Sequence, residues 1–364
     1  MHKSSGIVGV EFRYEFAREP SALLRNTFFD VLGAVRHEGS IAAAARALGL
    51  SYRHLWGYLK DQETRLGRPL VHWDKGRAAR LTEFAEKLLW AETRIRARLA
   101  PQIENLAADI GRELSTAFND DVRIARCVAS HDLSLPLLKN LCRERELLLD
   151  LRFEGSLAAL RELNEGRCAF AGIHLPLSRP DLTARGSHVH RTFAPLLRAR
   201  RHAMLRVARR TQGLFVARGN PLRIGALEDL LRVRFVNRAP TTGTRVLLDE
   251  LLARERIDPD AIDGYRYEEA NHLAVAAAVA AGAVDAGFGI QAAATGKSID
   301  FVPLVVEDYF LVCPRENLES AAAREIAALL SAPVWRERLA QLPGYSASGA
   351  GEVLSPRAAL PWYR

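Results

Sequence analysis

The chain has 364 residues, more than one ordinary hydrophobic core uses, and this length predicts two or three folding units. Its 48% hydrophobic and 26% charged residues are typical of a globular protein and exclude a disordered or fibrous chain. The net charge of +8 favours polyanionic partners such as DNA, RNA or an anionic membrane surface. No run of about 18 apolar residues occurs, so we expect a cytoplasmic protein with no membrane partner.

Residues 20–81 carry the pattern of three helices followed by a small hairpin. Apolar residues from Leu23 to Val35 recur at helical spacing and predict a first helix that ends before Gly39. Ser40 is placed to cap a second helix, and Ser51 a third that runs to Leu66. Short strands over 70–73 and 78–81, joined by a turn at 75–77, complete a predicted winged helix-turn-helix.

This segment is basic, as a phosphate-facing module should be. Residues 36–80 hold nine lysines and arginines against four acids. In the third helix, the candidate recognition helix, Arg53 and His54 are placed to reach base edges, while wing residues are placed to hold phosphates. The full predicted DNA-binding set is Ser40, Ser51, Tyr52, Arg53, His54, Trp56, Lys60, Arg65, Lys75, Arg77 and Arg80.

Residues 82–118 predict a linker helix that begins with Thr82 as its cap. Its apolar residues, from Phe84 to Leu114, recur close to every 3.5 positions, so the helix should pack against another helix. A homodimer or homotetramer through this helix, or an intramolecular helical pair, satisfies that need. Pro101 interrupts the stripe and predicts a kink or two consecutive helices.

Residues 121–345 alternate predicted strands and helices and therefore favour a parallel α/β sheet. The expected fold class is mixed, with an all-α winged helix-turn-helix head and linker helix ahead of an α/β domain. Residues 346–364 form a poorly patterned tail that either wraps the surface or is partly disordered.

The N-terminal segment resembles LysR-type and ModE-type winged helix-turn-helix domains over roughly residues 22–90. The residues that carry the resemblance are Gly39-Ser40-Ile41, Ala43-Ala44-Ala45, Leu48-Gly49, Leu66-Gly67-Arg68-Pro69-Leu70 and Leu81-Thr82. The segment 50–56 is closer to ModE, the molybdate-responsive regulator. The resemblance implies a bacterial transcription regulator that binds double-stranded promoter DNA.

The second half resembles type 2 periplasmic binding proteins of the molybdate-binding-protein-like subgroup, over about residues 121–345. The carriers are the segments 129–132, 154–157, 212–214, 219–221, 237–238, 242–245 and 268–272. The resemblance implies two lobes around a cleft for a small anion. The oxyanion-binding modules of ModE itself have no counterpart here, so only its DNA-binding part is comparable.

Hydroxyl side chains follow several predicted strands and precede helices, which would bring hydroxyls and free backbone N–H groups to one cleft. Neutral donors of this kind suit a tetrahedral oxyanion, so molybdate or tungstate is the leading effector, although each hydroxyl alone also suits an ordinary helix cap. The predicted ligand-binding set is Ser130, His131, Ser156, Thr241, Thr242, Gly243, Thr244, Arg245, Glu268, Asn271 and His272.

Several alternatives stay open at this point. Arg245 and Arg238 together would supply forked donors for a small organic anion such as formate. The fourteen arginines of residues 185–245 form either a solvated face or a second DNA-facing surface. A transporter's solute receptor or an enzyme are the alternatives from other classes.

Neither a G-x-S-x-G nor an H-E-x-x-H motif occurs, and the four cysteines lack zinc-site spacing. We therefore expect no catalytic residue, metal or covalent cofactor. Control of molybdenum-related or formate dehydrogenase genes is implied by the resemblance alone.

Overall fold

The structure, a computed structural model, describes residues 15–17, 23–72, 79–118 and 122–363. These residues divide into two compact units, one that ends at Arg96 and one that begins at Ala97.

The N-terminal unit is a three-helix domain with two small hairpins. A first hairpin pairs two short strands antiparallel, and the segment from Leu23 to Arg25, expected to be helical, is its second strand. Pairing with the neighbouring strand overrides the helical spacing of Leu23 and Leu24. The elements are β1 (Glu15–Ala17), β2 (Leu23–Arg25), α1 (Asn26–Glu38), α2 (Ile41–Ala47), α3 (Tyr52–Leu66), β3 (Val71–His72) and β4 (Arg80–Leu81).

Local capping chemistry defines α2 and α3, as the sequence predicts. The Ser40 hydroxyl accepts a hydrogen bond from the Ala43 amide at 3.1 Å, and the Ser51 hydroxyl accepts one from the His54 amide at 3.2 Å. Gly67 ends α3 in the left-handed conformation, with a φ of 65° that favours glycine. The inner faces of the helices meet in one core that includes Phe28, Leu32, Leu55 and Leu59.

Helix α4 (Glu83–Phe118) is one continuous helix, with Pro101 inside it, rather than two consecutive helices. Thr82 caps it through a 3.2 Å bond from the Ala85 amide. Its apolar stripe divides in two. Phe84 and Leu88 pack against the N-terminal core, whereas five of the later members are 37–54% exposed: Ile95, Leu99, Leu106, Ile110 and Leu114.

The second unit is an α/β domain built on one sheet. Its strands are β5 (Arg123–Ala129), β6 (Leu147–Phe153), β7 (Phe170–Leu175), β8 (His202–Ala217), β9 (Phe235–Arg238), β10 (Glu268–Glu269), β11 (Ala286–Ile290), β12 (Ile299–Pro314), β13 (Tyr345–Ser346) and β14 (Val353–Leu354). Its helices are α5 (Leu135–Glu144), α6 (Ser156–Asn164), α7 (His188–Phe193), α8 (Gly243–Glu255), α9 (His272–Ala280), α10 (Ala321–Ser331), α11 (Pro333–Leu339) and α12 (Pro356–Ala359). Short 3₁₀ turns lie at Leu227–Arg232, Pro259–Ala261, Gln291–Ala294, Arg315–Glu319 and Pro361–Tyr363.

Two long strands divide this sheet into two lobes. The strand order is β10-β9-β11-β8-β12-β7-β5-β6, and β8 and β12 run antiparallel through the middle. The first lobe contains β5, β6 and β7, and β7 pairs with the second half of β12. The second lobe contains β9, β10 and β11, and β11 pairs with the second half of β8. The expectation of a parallel sheet is therefore wrong at its centre, where the sheet is mixed.

Charged residues interrupt the apolar runs of β8 and β12. In the structure these charges face each other across the strand pair. Arg210 lies opposite Glu307 and Arg209 lies opposite Asp308, and the strands continue through them. Paired in register, the charges no longer oppose burial.

The densest part of this charge cluster is completely buried. Arg210 donates to Glu307 at 2.6 Å and to Asp132 at 2.5 Å, and all three side chains are fully buried. Gln212 also donates to Glu307, at 2.6 Å, and the Tyr345 hydroxyl donates to Asp132 at 2.7 Å. Burial raises the pKa of Glu307 against the opposing effect of Arg210.

Part of the arginine-rich stretch, residues 185–245, is engaged in ion pairs. Six of its arginines have ion-pair partners within the domain: Arg206, Arg209, Arg210, Arg232, Arg234 and Arg245.

The C-terminal segment packs against the domain. Strand β14 pairs with the first half of β8 and β13 with its middle, and Leu360 and Trp362 are buried in the core of the first lobe. Of the two expectations for the tail, the structure shows the one in which it wraps the domain.

Replacement of Arg210 tests the buried cluster. Arg210→Met should lower the free energy of unfolding by about 3–5 kcal/mol, because Asp132 and Glu307 would stay buried without their countercharge. Arg209→Met is the matched control: Asp308 keeps Arg206 at 3.1 Å, so the loss should stay below about 1 kcal/mol. Urea unfolding of both variants measures the difference, and equal losses would contradict the assignment.

Candidate effector and DNA-binding sites

Helix α3 presents most of the predicted DNA-binding residues to solvent. Arg53 and His54 are exposed, and Tyr52 and Trp56 are 55% and 42% exposed. Their neighbours Leu55 and Leu59 are buried, so the helix has one face in the core and one outside.

The other predicted DNA-binding residues have varied surroundings. Lys60 pairs with Glu63 at 2.8 Å and Arg65 pairs with Asp61 at 3.0 Å. Arg80 is exposed on β4. Ser40 and Ser51 serve as helix caps, as described above, and Lys75 and Arg77 lie outside the described residues.

In the second unit, the starts of three helices converge between the lobes. Helix α6 begins at Ser156, Thr242 caps α8, and Asn271 caps α9. A methyl group on Gly155 would lie 2.7 Å from the Thr241 carbonyl oxygen, so the two lobes touch there. Helix N-termini carry unpaired N–H groups and favour negative charge, so this cleft is electrostatically suited to an anion.

Polar side chains from both lobes fill the cleft. The Ser130 hydroxyl lies 3.2 Å from Nδ1 of His174, in the first lobe. The Thr244 hydroxyl lies 3.5 Å from Nε2 of His272, in the second. A methyl on Gly243 would lie 2.6 Å from Nε2 of His174, which brings the two sets together. All these side chains are buried.

Several buried polar atoms here have no hydrogen-bond partner among the described residues. They are Nδ1 of His131, the hydroxyl of Ser156, Nε2 of His174 and Nδ1 of His272. Buried polar groups in folded proteins are nearly always satisfied, so a cluster of unsatisfied ones indicates a binding position.

Arg238 is the most unusual residue of the cleft. Its side chain is 4% exposed, and Nη2 donates to the Ala270 carbonyl at 3.1 Å, but Nε and Nη1 have no acceptor among the described residues. Burial, together with the neighbouring Arg210, lowers the pKa of Arg238 to about 9, so it still carries its charge at neutral pH. A buried cation without a countercharge is costly, and an anion would relieve that cost.

The three histidines are neutral at pH 7. Burial, with a further contribution from Arg238, lowers the pKa of His131 to about 4. Burial also holds the pKa values of His174 and His272 well below the usual range, with Arg210 and Arg238 adding to the effect. They can therefore donate or accept hydrogen bonds without adding charge.

The structure separates the predicted ligand set into residues of the cleft and residues with other roles. Arg245 stacks on Tyr265 at 4.1 Å and pairs with Asp249 at 2.9 Å, so its donors are engaged elsewhere. Glu268 and Thr241 are exposed, and Thr242 and Asn271 are caps. The members inside the cleft are Ser130, His131, Ser156, Gly243, Thr244 and His272.

Sequence reasoning missed His174, Arg210, Gln212 and Glu307, and included Arg238 only in the carboxylate alternative. His174 is a histidine near the end of the wholly buried strand β7. Arg210, Gln212 and Glu307 are polar residues that interrupt otherwise apolar strands, β8 and β12. Such interruptions are the signal that could have located these residues.

Other kinds of site find no support in the described part of the chain. No group of three or more histidine, cysteine or acidic side chains there could hold a metal ion. All four cysteines are buried free thiols. No helix among the described residues is long and apolar enough to span a membrane.

Comparison with known proteins agrees with both units. Residues 29–86 match the lysR family of bacterial regulatory helix-turn-helix proteins, and residues 139–331, more than half of the chain, match the PBP superfamily domain. The protein is a LysR-type transcription regulator. It joins a lysR-family DNA-binding domain to a PBP-like domain that responds to a ligand, and such regulators are not enzymes.

Two curated relatives share part of this LysR-type chain. The uncharacterized protein YvgK of Bacillus subtilis (strain 168) is 30% identical over 233 residues, which cover 62% of this chain and 72% of YvgK. A Clostridium pasteurianum protein, described as uncharacterized and encoded 5' to a ferredoxin gene, is 35% identical over 111 residues. That match covers 30% of this chain and 98% of the relative.

Two solved structures, one of them titled a LysR family transcriptional regulator (CbnR), are similar at lower identity. Full-length BenM is 18% identical, with a TM-score of 0.43, and the match covers 86% of this chain and 96% of BenM. CbnR is 20% identical, with a TM-score of 0.39, and the match covers 82% of this chain and 97% of CbnR.

The neutral histidines predict acid sensitivity. An unfolded histidine takes up a proton near pH 6.5, whereas folded His131 does so only near pH 4. Stability should therefore fall as the pH drops from about 6.5 to about 4 and then level off, by on the order of 3 kcal/mol for this residue. His131→Gln, which cannot titrate, should flatten the fall in a urea-unfolding series without oxyanions in the buffer. An unchanged slope would contradict the buried neutral state.

Proposed function

We propose that the regulator senses a small oxyanion bound between the two lobes, with molybdate or tungstate as the favoured effector. The observation that carries this proposal is Arg238, a buried guanidinium with two N–H positions that have no acceptor in the part of the chain that the structure describes. Around it lie neutral histidines, the Ser156 hydroxyl and three helix N-termini, which are donors that do not require a full countercharge.

The cleft suits an oxyanion better than a large organic ligand. A tetrahedral oxyanion loses many hydrogen bonds to water and needs as many donors in return. The unsatisfied atoms of His131, Ser156, His174 and His272 are candidates for these donors. The side chains assigned to the cleft above are polar, whereas an organic ligand of appreciable size would need an apolar lining.

A small carboxylate such as formate remains the second candidate effector. The formate hypothesis depends on forked donors from Arg238 and Arg245. Because Arg245 donates to Asp249, Arg238 is the one of these two arginines that would bind the carboxylate. One buried guanidinium still suits a carboxylate, so formate belongs in the same screen.

The exposed stripe of α4 supports a homodimer or homotetramer formed through this helix, because apolar side chains in a helical row are normally covered. In such an oligomer, effector binding that closes the lobes would change how two recognition helices meet promoter DNA. We propose that this occurs in the cytoplasm and that the target genes serve molybdenum metabolism or a formate dehydrogenase.

A thermal-shift screen of molybdate, tungstate, sulfate, phosphate, nitrate and formate tests the effector proposal. A true effector at a hundred times its Kd should stabilise the protein by about 2.7 kcal/mol and raise its Tm. Arg238→Gln should abolish the rise. Arg234→Gln is the matched control, since Arg234 is an exposed arginine paired with Asp285, and it should keep the rise. A screen with no response from the unmodified protein would overturn the oxyanion and formate proposals together.

DNA recognition is tested by two arginines with different proposed roles. Arg53→Ala should weaken binding to a promoter duplex selected in vitro and relax its sequence preference by about 1–3 kcal/mol, because a base contact is lost. Arg80→Ala should weaken binding to all duplexes alike and reduce the salt slope by about 1, because a phosphate contact is lost. Equal effects of both variants on selected and random DNA would contradict the assignment.

A further inference from the structure

Helix α4 contains a proline that deprives one carbonyl of its usual partner. In an α-helix the amide of residue 101 would donate to the carbonyl of residue 97, but Pro101 has no N–H. The helix nevertheless continues from Glu83 to Phe118. In the structure the freed Ala97 carbonyl accepts a hydrogen bond from the side-chain amide of Asn271. The α/β domain thus supplies, through Asn271, the donor that Pro101 cannot provide.

Asn271 is tied to the cleft on its other side. Its side-chain oxygen caps α9 through a 2.9 Å bond from the Ala274 amide, and the first residue of α9 is His272, a member of the cleft. The preceding residue, Ala270, offers its carbonyl to Arg238 at 3.1 Å. The residues on both sides of Asn271 therefore contact the proposed anion-binding groups.

A second contact joins the same segment to the same turn of α4. Glu269, whose side chain is fully buried, accepts hydrogen bonds from Arg98 at 2.5 Å and 2.6 Å. Glu269 also lies opposite Arg238 in the parallel pairing of β10 with β9. Residues 269–272 thus alternate between contacts to α4 and contacts to the cleft.

We propose that Asn271, assisted by Glu269, is the positioning residue that transmits occupancy of the effector cleft to α4 through the carbonyl freed by Pro101. This inference rests on the proposed function for the identity of the ligand, although the contact itself does not. An anion that draws Arg238 and His272 toward itself moves residues 269–272, which contact both of them or include them. Because Pro101 has no N–H to offer the Ala97 carbonyl, the hydrogen bonding of this carbonyl should follow the movement of residues 269–272.

Three variants separate transmission from folding. Asn271→Ser keeps a good helix cap but lacks the longer amide that reaches Ala97. Pro101→Ala restores an N–H inside the helix, so the Ala97 carbonyl no longer depends on Asn271. Ser320→Ala is the matched control, because Ser320 caps α10 by a 3.2 Å bond from the Ala323 amide in the same domain. It should lower stability without affecting transmission.

The first measurement needs no ligand and uses amide hydrogen exchange of the full chain over residues 98–106. Arg238→Gln removes the bond to Ala270 and should speed exchange in this part of α4. The same substitution should have no further effect there in the Asn271→Ser or Pro101→Ala background, and its full effect in the Ser320→Ala background. Exchange that does not respond to Arg238→Gln, or that responds equally in all backgrounds, would overturn the proposal.

The second measurement uses molybdate, and formate in parallel, with DNA affinity as the readout. In the unmodified protein the anion should change affinity for the selected duplex by a factor within the range of about 5–150 that is typical of allosteric coupling. In Asn271→Ser and Pro101→Ala the factor should fall toward unity while the anion still raises the Tm.

The two proposals fail in different ways. If neither anion raises the Tm, the proposed effectors are wrong, and the exchange measurement still decides on transmission. If an anion raises the Tm and still changes DNA affinity fully in both variants, the transmission proposal is wrong and the effector proposal stands.

Discussion

The α/β domain depends on the antiparallel pairing of its two long strands, β8 and β12, and on the buried charges that this pairing aligns. Arg210 would be destabilising alone in such a place. Glu307 from the facing strand and Asp132 from the start of the first lobe surround it, and together they raise the pKa of Arg210 despite its burial. Because the two strands belong to both lobes, this cluster holds the centre on which the cleft is built.

Two buried guanidinium groups near the cleft, those of Arg210 and Arg238, differ in whether a carboxylate compensates their charge. Arg210 is compensated by two carboxylates and is therefore structural. The side chain of Arg238, buried nearby, has a backbone carbonyl as its one hydrogen-bond partner among the described residues. Their mutual repulsion contributes to the lowered pKa of Arg238. The three histidines stay neutral for the same reason, since burial and two nearby positive charges both oppose their protonation. The local field thus leaves one cation available and surrounds it with uncharged donors.

The linker helix illustrates how a local rule can be correct and still mislead. Pro101 does remove a hydrogen bond, as expected of proline within a helix. The helix continues because Asn271, distant in sequence, donates to the orphaned Ala97 carbonyl. The carbonyl that proline leaves without an amide partner in α4 is therefore the acceptor for a hydrogen bond from another part of the fold.

Local chemistry in the sequence was enough to determine helices α2 and α3 of the N-terminal unit. Ser40, Ser51 and Gly67 begin or end helices through contacts with residues a few positions away, so α2 and α3 follow from the sequence with little dependence on the remainder of the chain. The amphipathic pattern of α3 likewise determined which side chains are exposed. The alternation of predicted strands and helices also identified the second unit as an α/β domain, since strands and helices have different hydrophobic periodicities.

Only the tertiary structure decided the middle of the sheet and the membership of the cleft. Arg209, Arg210 and Glu307 interrupt apolar runs, and nothing in their neighbours shows that their partners lie about a hundred positions away on a facing strand. For the same reason the sequence placed Arg245 in the predicted ligand set and Arg238 only in the carboxylate alternative. In the structure Asp249 and Tyr265 engage Arg245, whereas two N–H positions of Arg238 have no acceptor among the described residues. Whether a charge is structural or available for a ligand depends on its partner in space, and that partner is chosen by the fold.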